Sequence, residues 1–306
     1  MNWWDDALHR ATAEVLLAGA LAGLVGVHVV LRRLSFFTMA LTHATFPGVV
    51  AASIIGVHIV VGGVVAGAVV ALGVAVLSRH RSQNTAAATG VLLSGGFALG
   101  AGLVATQNGF SRDLTSFLVG SILTVSPQDL GTTAVVLVVV VAVLLACARP
   151  LRYTGFDRTG AQAAGFATGV WDVVLLLAIQ VAVVTIVPAI GTILALALIV
   201  APAAAARQWS HRLSTITALA VTLGALSGLG GLYASSHGDV AAGASITLTA
   251  TAILALSTVL SRLVRSGPRR PPGYERSLGN AGDGARLIRP TRVRGRRCAT
   301  NPRPGE

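Results

Sequence analysis

The stretch AEVLLAGALAGLVGVHVVL (13–31) carries one acid, Glu14, near its start and then runs apolar into Arg32 and Arg33. A helix needs about 20 predominantly apolar residues to cross a ~30 Å hydrocarbon layer, and this run supplies them, closed by two cations. Similar runs follow at 41–57, 60–77, 87–105, 130–148, 170–187, 190–206, 215–234 and 244–264. A shorter apolar piece, 114–125, reads as half-inserted or as part of a broken helix. The pattern predicts an all-α fold, a polytopic helical membrane protein of about 8–10 transmembrane helices.

Composition agrees. Of the 306 residues 54% are hydrophobic and 11% charged, against roughly 25% charged in a soluble domain. All 23 basic residues are arginine. Without lysine the chain has no P-loop of its own to grip nucleotide phosphates, so coupling to ATP has to come from a partner. Cys147 and Cys298 lie far apart and form neither a disulfide framework nor a metal knuckle. No basic n-region of a cleaved leader precedes the first run.

Arginine clusters in the short connections set the orientation. Arg32 and Arg33, Arg79 and Arg81, Arg149, Arg152 and Arg158, Arg207 and Arg212, and the tail from Arg262 all fall on one side if nine runs cross. The tail then lies inside, in the cytoplasm. Of the net charge of +12, +9 belongs to residues 262–306, so the basicity marks a tail and no nucleic-acid-binding surface. Residues 1–265 read as a transmembrane domain. Residues 266–306, rich in Arg, Gly and Pro, have too little apolar surface to fold and read as disordered, with enough arginine to meet anionic membrane lipid. Gly23/Gly26, Gly63/Gly67 and Gly96/Gly100 are spaced for close helix contact; glycine and alanine are also simply abundant here.

Ionisable groups at membrane depth are expensive and mark function by default. His43 lies about ten residues beyond Arg33, roughly 15 Å into the layer. Pro47 and Gly48 follow it and loosen the helix, freeing carbonyls. A neutral imidazole there binds a divalent metal or packs on a neighbouring carbonyl. His237 and Asp239, between two runs, either share an ion at a mouth or form a solvated loop. Glu14 and Asp172 stand at the ends of their runs. No metalloprotease, nucleophile-elbow or dinucleotide motif is present, which leaves transport ahead of catalysis.

Four strings then carry a resemblance. VVLRRLSFFTMALTHATFPG (29–48), DLTSFLVGSILTVSPQDL (113–130), LALALIVAPAAAAR (194–207) and GLYASSHGDVAAG (231–243) resemble, in order, segments of the zinc/manganese/iron (ABC-3 type) ABC transporter permeases. The arginine-only basic composition suits an actinobacterial variant. The resemblance implies a multi-pass plasma-membrane permease that is not itself an enzyme. It implies an ABC ATPase subunit, an extracytoplasmic metal-binding protein and a second copy of the permease as partners. The cargo is a transported divalent ion (Mn, Zn or Fe), with no permanent cofactor. It places His43 and His237 on the metal path, with Asp239 and Met39 beside them as further candidate path residues, and an ATPase-coupling loop at Ala203, Ala206, Arg207, His211 and Arg212.

One departure stands out. Where the family usually has Asp four residues before its His, this chain has Met39. At i, i+4 the two side chains share a helix face, and a soft thioether replaces a hard carboxylate. Weaker transient binding, a compensating acid such as Asp113 or Asp239, or a different substrate all fit this change. An ATP-independent carrier or channel is the reading from another class, and it requires acids inside the spans.

Overall fold

The computed structural model describes residues 7–77, 85–106, 120, 122–238 and 240–265. Asp113, Asp239 and the tail 266–306 lie outside the described residues, as does most of the piece 114–125; its end forms a 3-10 turn, Ile122–Thr124.

The described chain is helical throughout: α1 (Ala7–Leu31), α2 (Ser35–Ala44), α3 (Phe46–Ile55), α4 (Ile59–Leu77), α5 (Thr85–Ala105), α6 (Pro127–Ala146), α7 (Ala148–Phe156), α8 (Arg158–Ala163), α9 (Thr168–Ile190), α10 (Thr192–Arg207), α11 (Leu213–Gly238) and α12 (Ala242–Arg265). Among the described residues six segments are long and apolar enough to cross a membrane: α1, α2 with α3, α6, α9, α11 and α12. Apolar stretches of the remaining helices, Ile59–Gly73 in α4, Leu93–Ala105 in α5 and Leu194–Arg207 in α10, occupy the other three runs.

Several boundaries differ from the sequence expectation, each for a local reason. The run expected at 41–57 begins at Ser35, because apolar Phe36 and Phe37 extend it toward Arg33. It is broken at Thr45, where Pro47 opens a new helix and supplies no N–H to the turn before it. The run expected at 130–148 starts three residues early at Pro127 and ends two residues early at Ala146, capped by Cys147. There the chain turns into two short helices, α7 and α8, that apolar periodicity did not reveal. The start of α6 is set by a capping box. Ser126 Oγ accepts from the Asp129 N–H (3.2 Å), and Asp129 Oδ2 accepts from the Ser126 N–H (3.0 Å), with Pro127 in the first turn.

α1 and α9 are the central helices. Within their most apolar windows 61% and 67% of residues are buried, against 22% for α6 and α12. α1 packs on α11, α10, α6 and α9, while α9 also contacts α4 and α6. Glycine makes these approaches. A Cβ on Gly19 would sit 2.5 Å from the Gly224 carbonyl oxygen, and one on Gly23 would meet Ala220 of the same helix, α11. The three pairs read from spacing all lie at such contacts: Gly26 on Ile199, Gly63 on Val184, Gly67 on Gln180, Gly96 on Ala44 and Gly100 on Phe46. With lipid as apolar as leucine, backbone proximity and dispersion replace hydrophobic drive.

The arginine-bearing ends of the helices meet. Val27 of α1 clusters with Ala203 and Ala206 of α10 and with Ile216 and Ala220 of α11. Arg32, just past α1, donates from Nη1 to Asp172 Oδ1 of α9 at 2.6 Å. Its Nη2 donates to the Leu151 carbonyl (3.0 Å) and Thr154 Oγ1 (2.9 Å) of α7. A residue that the sequence shows as an orientation signal is therefore also a three-helix clamp.

Candidate functional site

His43 lies in the last turn of α2, half-buried, with its ring centroid 5.9 Å from that of Phe97 on α5. Its immediate environment is built by its own helix. Thr42 Oγ1 donates to the Met39 carbonyl at 2.7 Å. His43 Nδ1 lies 2.9 Å from Thr42 Oγ1 and 3.2 Å from the Met39 carbonyl. A carbonyl only accepts, so with the hydroxyl proton directed at it the two contacts fit a neutral ring protonated on Nδ1. Nε2 then carries the lone pair, the tautomer suited to a metal.

The same construction recurs on α11. Ser236 Oγ donates to the Tyr233 carbonyl at 2.8 Å, and His237 Nδ1 lies 3.1 Å from Ser236 Oγ and 3.0 Å from the Tyr233 carbonyl. The Tyr233 ring stands 4.2 Å from the imidazole, and His237 is exposed. This repeats the hydroxyl-histidine unit at i−1 and the carbonyl at i−4 or one turn back, with the same Nε2 lone pair. The sequence signal was present as Thr-His and Ser-His, yet the tautomer it sets is a product of helical geometry. His237 itself is in the final helical turn, where the sequence had suggested a loop, because α11 continues beyond the apolar run to Gly238.

His43 is bordered by α5 and His237 by its own helix. Among the described residues no three His, Cys, Asp or Glu side chains converge as a metal cage. Met39, one turn before His43, is 41% exposed, so its thioether is open on the face it shares with the imidazole.

The region 203–212 divides in two. Ala203 and Ala206 are enclosed, 1% and 0% exposed, against α1 and α11. Arg207, His211 and Arg212 are exposed. Between them, Gln208 and Trp209 anchor the turn to α12, which the sequence reading had not singled out. Trp209 Nε1 donates to Ser257 Oγ (2.8 Å), Gln208 Nε2 to Thr258 Oγ1 (2.9 Å), and Ser261 Oγ to Gln208 Oε1 (2.9 Å). Motion imposed on the exposed arginines would reach α10, α11 and α12 together.

Two polar side chains are enclosed by the packing of the helices. Glu14, read as a run-end acid, is 1% exposed and accepts from Thr133 Oγ1 at 2.8 Å. Gln180 of α9 is wholly buried and donates to the Gly63 carbonyl at 3.3 Å. Packing of α6 beside α1 puts Glu14 inside, which its distance from the run's end does not report.

Across residues 4–261 the sequence matches the ABC 3 transport family. The chain belongs to that family. It is 33% identical over 254 residues to the manganese transport system membrane protein MntC of Halalkalibacterium halodurans, covering 83% of this chain and 87% of the relative. It is 32% identical over 281 residues to the zinc transport system membrane protein TroC of Treponema pallidum, covering 89% and 92%. Among solved structures, PsaBC from Streptococcus pneumoniae in complex with Fab matches with a TM-score of 0.76 and 30% identity, over 82% of this chain and 90% of that one.

Proposed function

We propose that this chain is the permease subunit of an ABC importer that moves a divalent metal ion, Mn, Zn or Fe, into the cell. The carrying observation is the pair of hydroxyl-histidine units, at His43 and His237, in a chain of the ABC 3 family. Each leaves Nε2 as a ligand, as a transient metal site requires. An ion on a transport path must be held well enough to enter and weakly enough to leave, which suits single imidazoles better than a closed cage. Asp239, two residues past His237, and the Met39 thioether complete the candidate ligand set.

Energy for the cycle comes from a separate ATPase subunit that docks at Arg207, His211 and Arg212. The anchored turn carries its motion into α10, α11 and α12. An extracytoplasmic metal-binding protein delivers the ion, and two copies of the permease form the pathway. The arginine-bearing end and the tail face the cytoplasm. This orientation rests on the positive-inside rule.

The test compares cellular Mn, Zn, Fe and Cu by mass spectrometry in cells expressing the whole transporter with native permease, with His43→Ala, or with His237→Ala, at matched membrane levels. A rise in one metal that disappears in the variants supports the reading and names the ion. Equal metal content in native, variant and empty-vector cells, with the complex assembled, refutes it.

A further inference from the structure

α7 presents two different faces. Pro150, Leu151 and Thr154 are buried toward the bundle, where Arg32 holds the Leu151 carbonyl and Thr154 Oγ1. Arg149, Arg152, Tyr153 and Phe156 stand at i, i+3, i+4 and i+7, one helical stripe, and all four are exposed, Tyr153 by 60% and Phe156 by 77%. Both aromatic side chains leave large apolar area uncovered beside two guanidinium groups.

The stripe continues into a cavity. The Tyr153 ring stacks on Phe166 with centroids 5.7 Å apart. Phe166 in turn lines an open cavity of about 680 Å³, walled by Gln162, Thr168, Val170, Val173 and Val174. The valines belong to α9, a central spanning helix, so the cavity opens at the head of an apolar helix wall. α7 itself follows the spanning helix α6 with only Cys147 between them.

We infer that this face and the adjoining cavity bind an anionic phospholipid, with the headgroup phosphate on Arg149 and Arg152 and an acyl chain along Val170, Val173 and Val174. The inference goes beyond the proposed transport role and rests only on the chain's spanning the membrane. Charge decides the ligand class. Among the described residues neither arginine forms an ion pair. Arg152 Nε donates to the Ala148 carbonyl (3.2 Å), which holds the side chain along its helix with both Nη groups left over. The nearest acid in sequence, Asp157, caps α8 by accepting from the Gly160 N–H at 2.8 Å. Amphipathic segments that pair arginine with aromatic rings sit at the headgroup boundary, and Tyr and Trp rings are enriched there.

The test uses the full-length chain in mixed micelles with photoactivatable phosphatidylglycerol or phosphatidylcholine, and crosslinks are mapped by peptide mass spectrometry. Mapping separates this site from the arginine-rich tail. The wild-type chain is expected to label within 149–174 with phosphatidylglycerol in preference to phosphatidylcholine. Each surface arginine contributes about 1 kcal/mol toward an anionic lipid surface. Arg149→Gln with Arg152→Gln should therefore weaken that labelling roughly 30-fold and leave phosphatidylcholine unchanged. Arg149→Lys with Arg152→Lys should retain it within about threefold. The buried face of α7 is untouched in these variants, and an unchanged melting temperature confirms folding. Equal labelling by both lipids in the wild-type chain, or an unaltered preference in the glutamine variant, overturns the assignment. So does loss of ATPase-subunit capture in the glutamine variant with phosphatidylglycerol preference intact, which would make the face a protein-docking surface. Metal uptake is measured separately, so failure here leaves the transport reading standing and the reverse also holds.

Discussion

Replacing Arg32 with alanine removes the Nη1 bond to Asp172 and the two Nη2 bonds to α7 in one step. The ion pair is 14% and 26% exposed on its two side chains, between the solvent-exposed case, worth roughly 0–1 kcal/mol, and the buried case, where losing one partner costs about 3–5 kcal/mol. At an effective dielectric near 20, unit charges about 4 Å apart attract by about 4 kcal/mol, and desolvation of both groups offsets part of that. We expect Arg32→Ala to cost ~3 kcal/mol and Asp172→Asn ~2 kcal/mol, because the latter keeps the two bonds to α7. The double variant should cost ~3.5 kcal/mol, a coupling of about 1.5 kcal/mol. Equilibrium unfolding of the purified chain in mixed detergent micelles measures all four corners of this cycle. Trp171 sits beside Asp172 and packs on the core, so it contributes a local signal to the chain's fluorescence. Independent sites add within about 0.3–0.5 kcal/mol. Additivity at that level would show that the clamp holds nothing and would refute the reasoning.

Glycine contacts give a sign test. Gly224→Val, against the Gly19 backbone, should abolish the folded peak in fluorescence-detected chromatography, whereas Gly73→Ala, with open space around it, should stabilise by about 0.5–1 kcal/mol. Thr42→Val removes the hydroxyl beside His43 Nδ1; by analogy with other metal-orienting partners it should raise the metal concentration for half-maximal uptake roughly 10-fold with the maximal rate retained. An unchanged value means that the ring needs no such orientation. Met39→Asp supplies a hard ligand one turn before His43 and should shift competition in uptake assays toward Mn over Cu. Ser126→Ala should lower stability by about 1 kcal/mol through loss of the α6 cap, read from the same unfolding titration.

The sequence alone determined the fold class, because the membrane demands about 20 apolar residues per crossing and such runs are contiguous in the chain. The local constructions are short-range too, although only the loosening at Pro47 is read from the sequence. The capping box at Ser126 and Asp129, the Thr42–His43 and Ser236–His237 units, and the break before Pro47 all involve residues within one helical turn. What it did not determine were distances between segments. Glu14 read as terminal because it is near the end of its run, yet α6 folds over it and Thr133 reaches it from 119 positions away. Arg32 read as a topological charge until α7 and α9 came within hydrogen-bond range. The outward stripe of α7 was also hidden, since a helix of 9 residues with two buried apolar side chains leaves no periodic signal strong enough to read. Helix formation and capping are decided within a turn. Burial and partnership are decided by which helices pack together, and in this bundle glycine lets backbones touch.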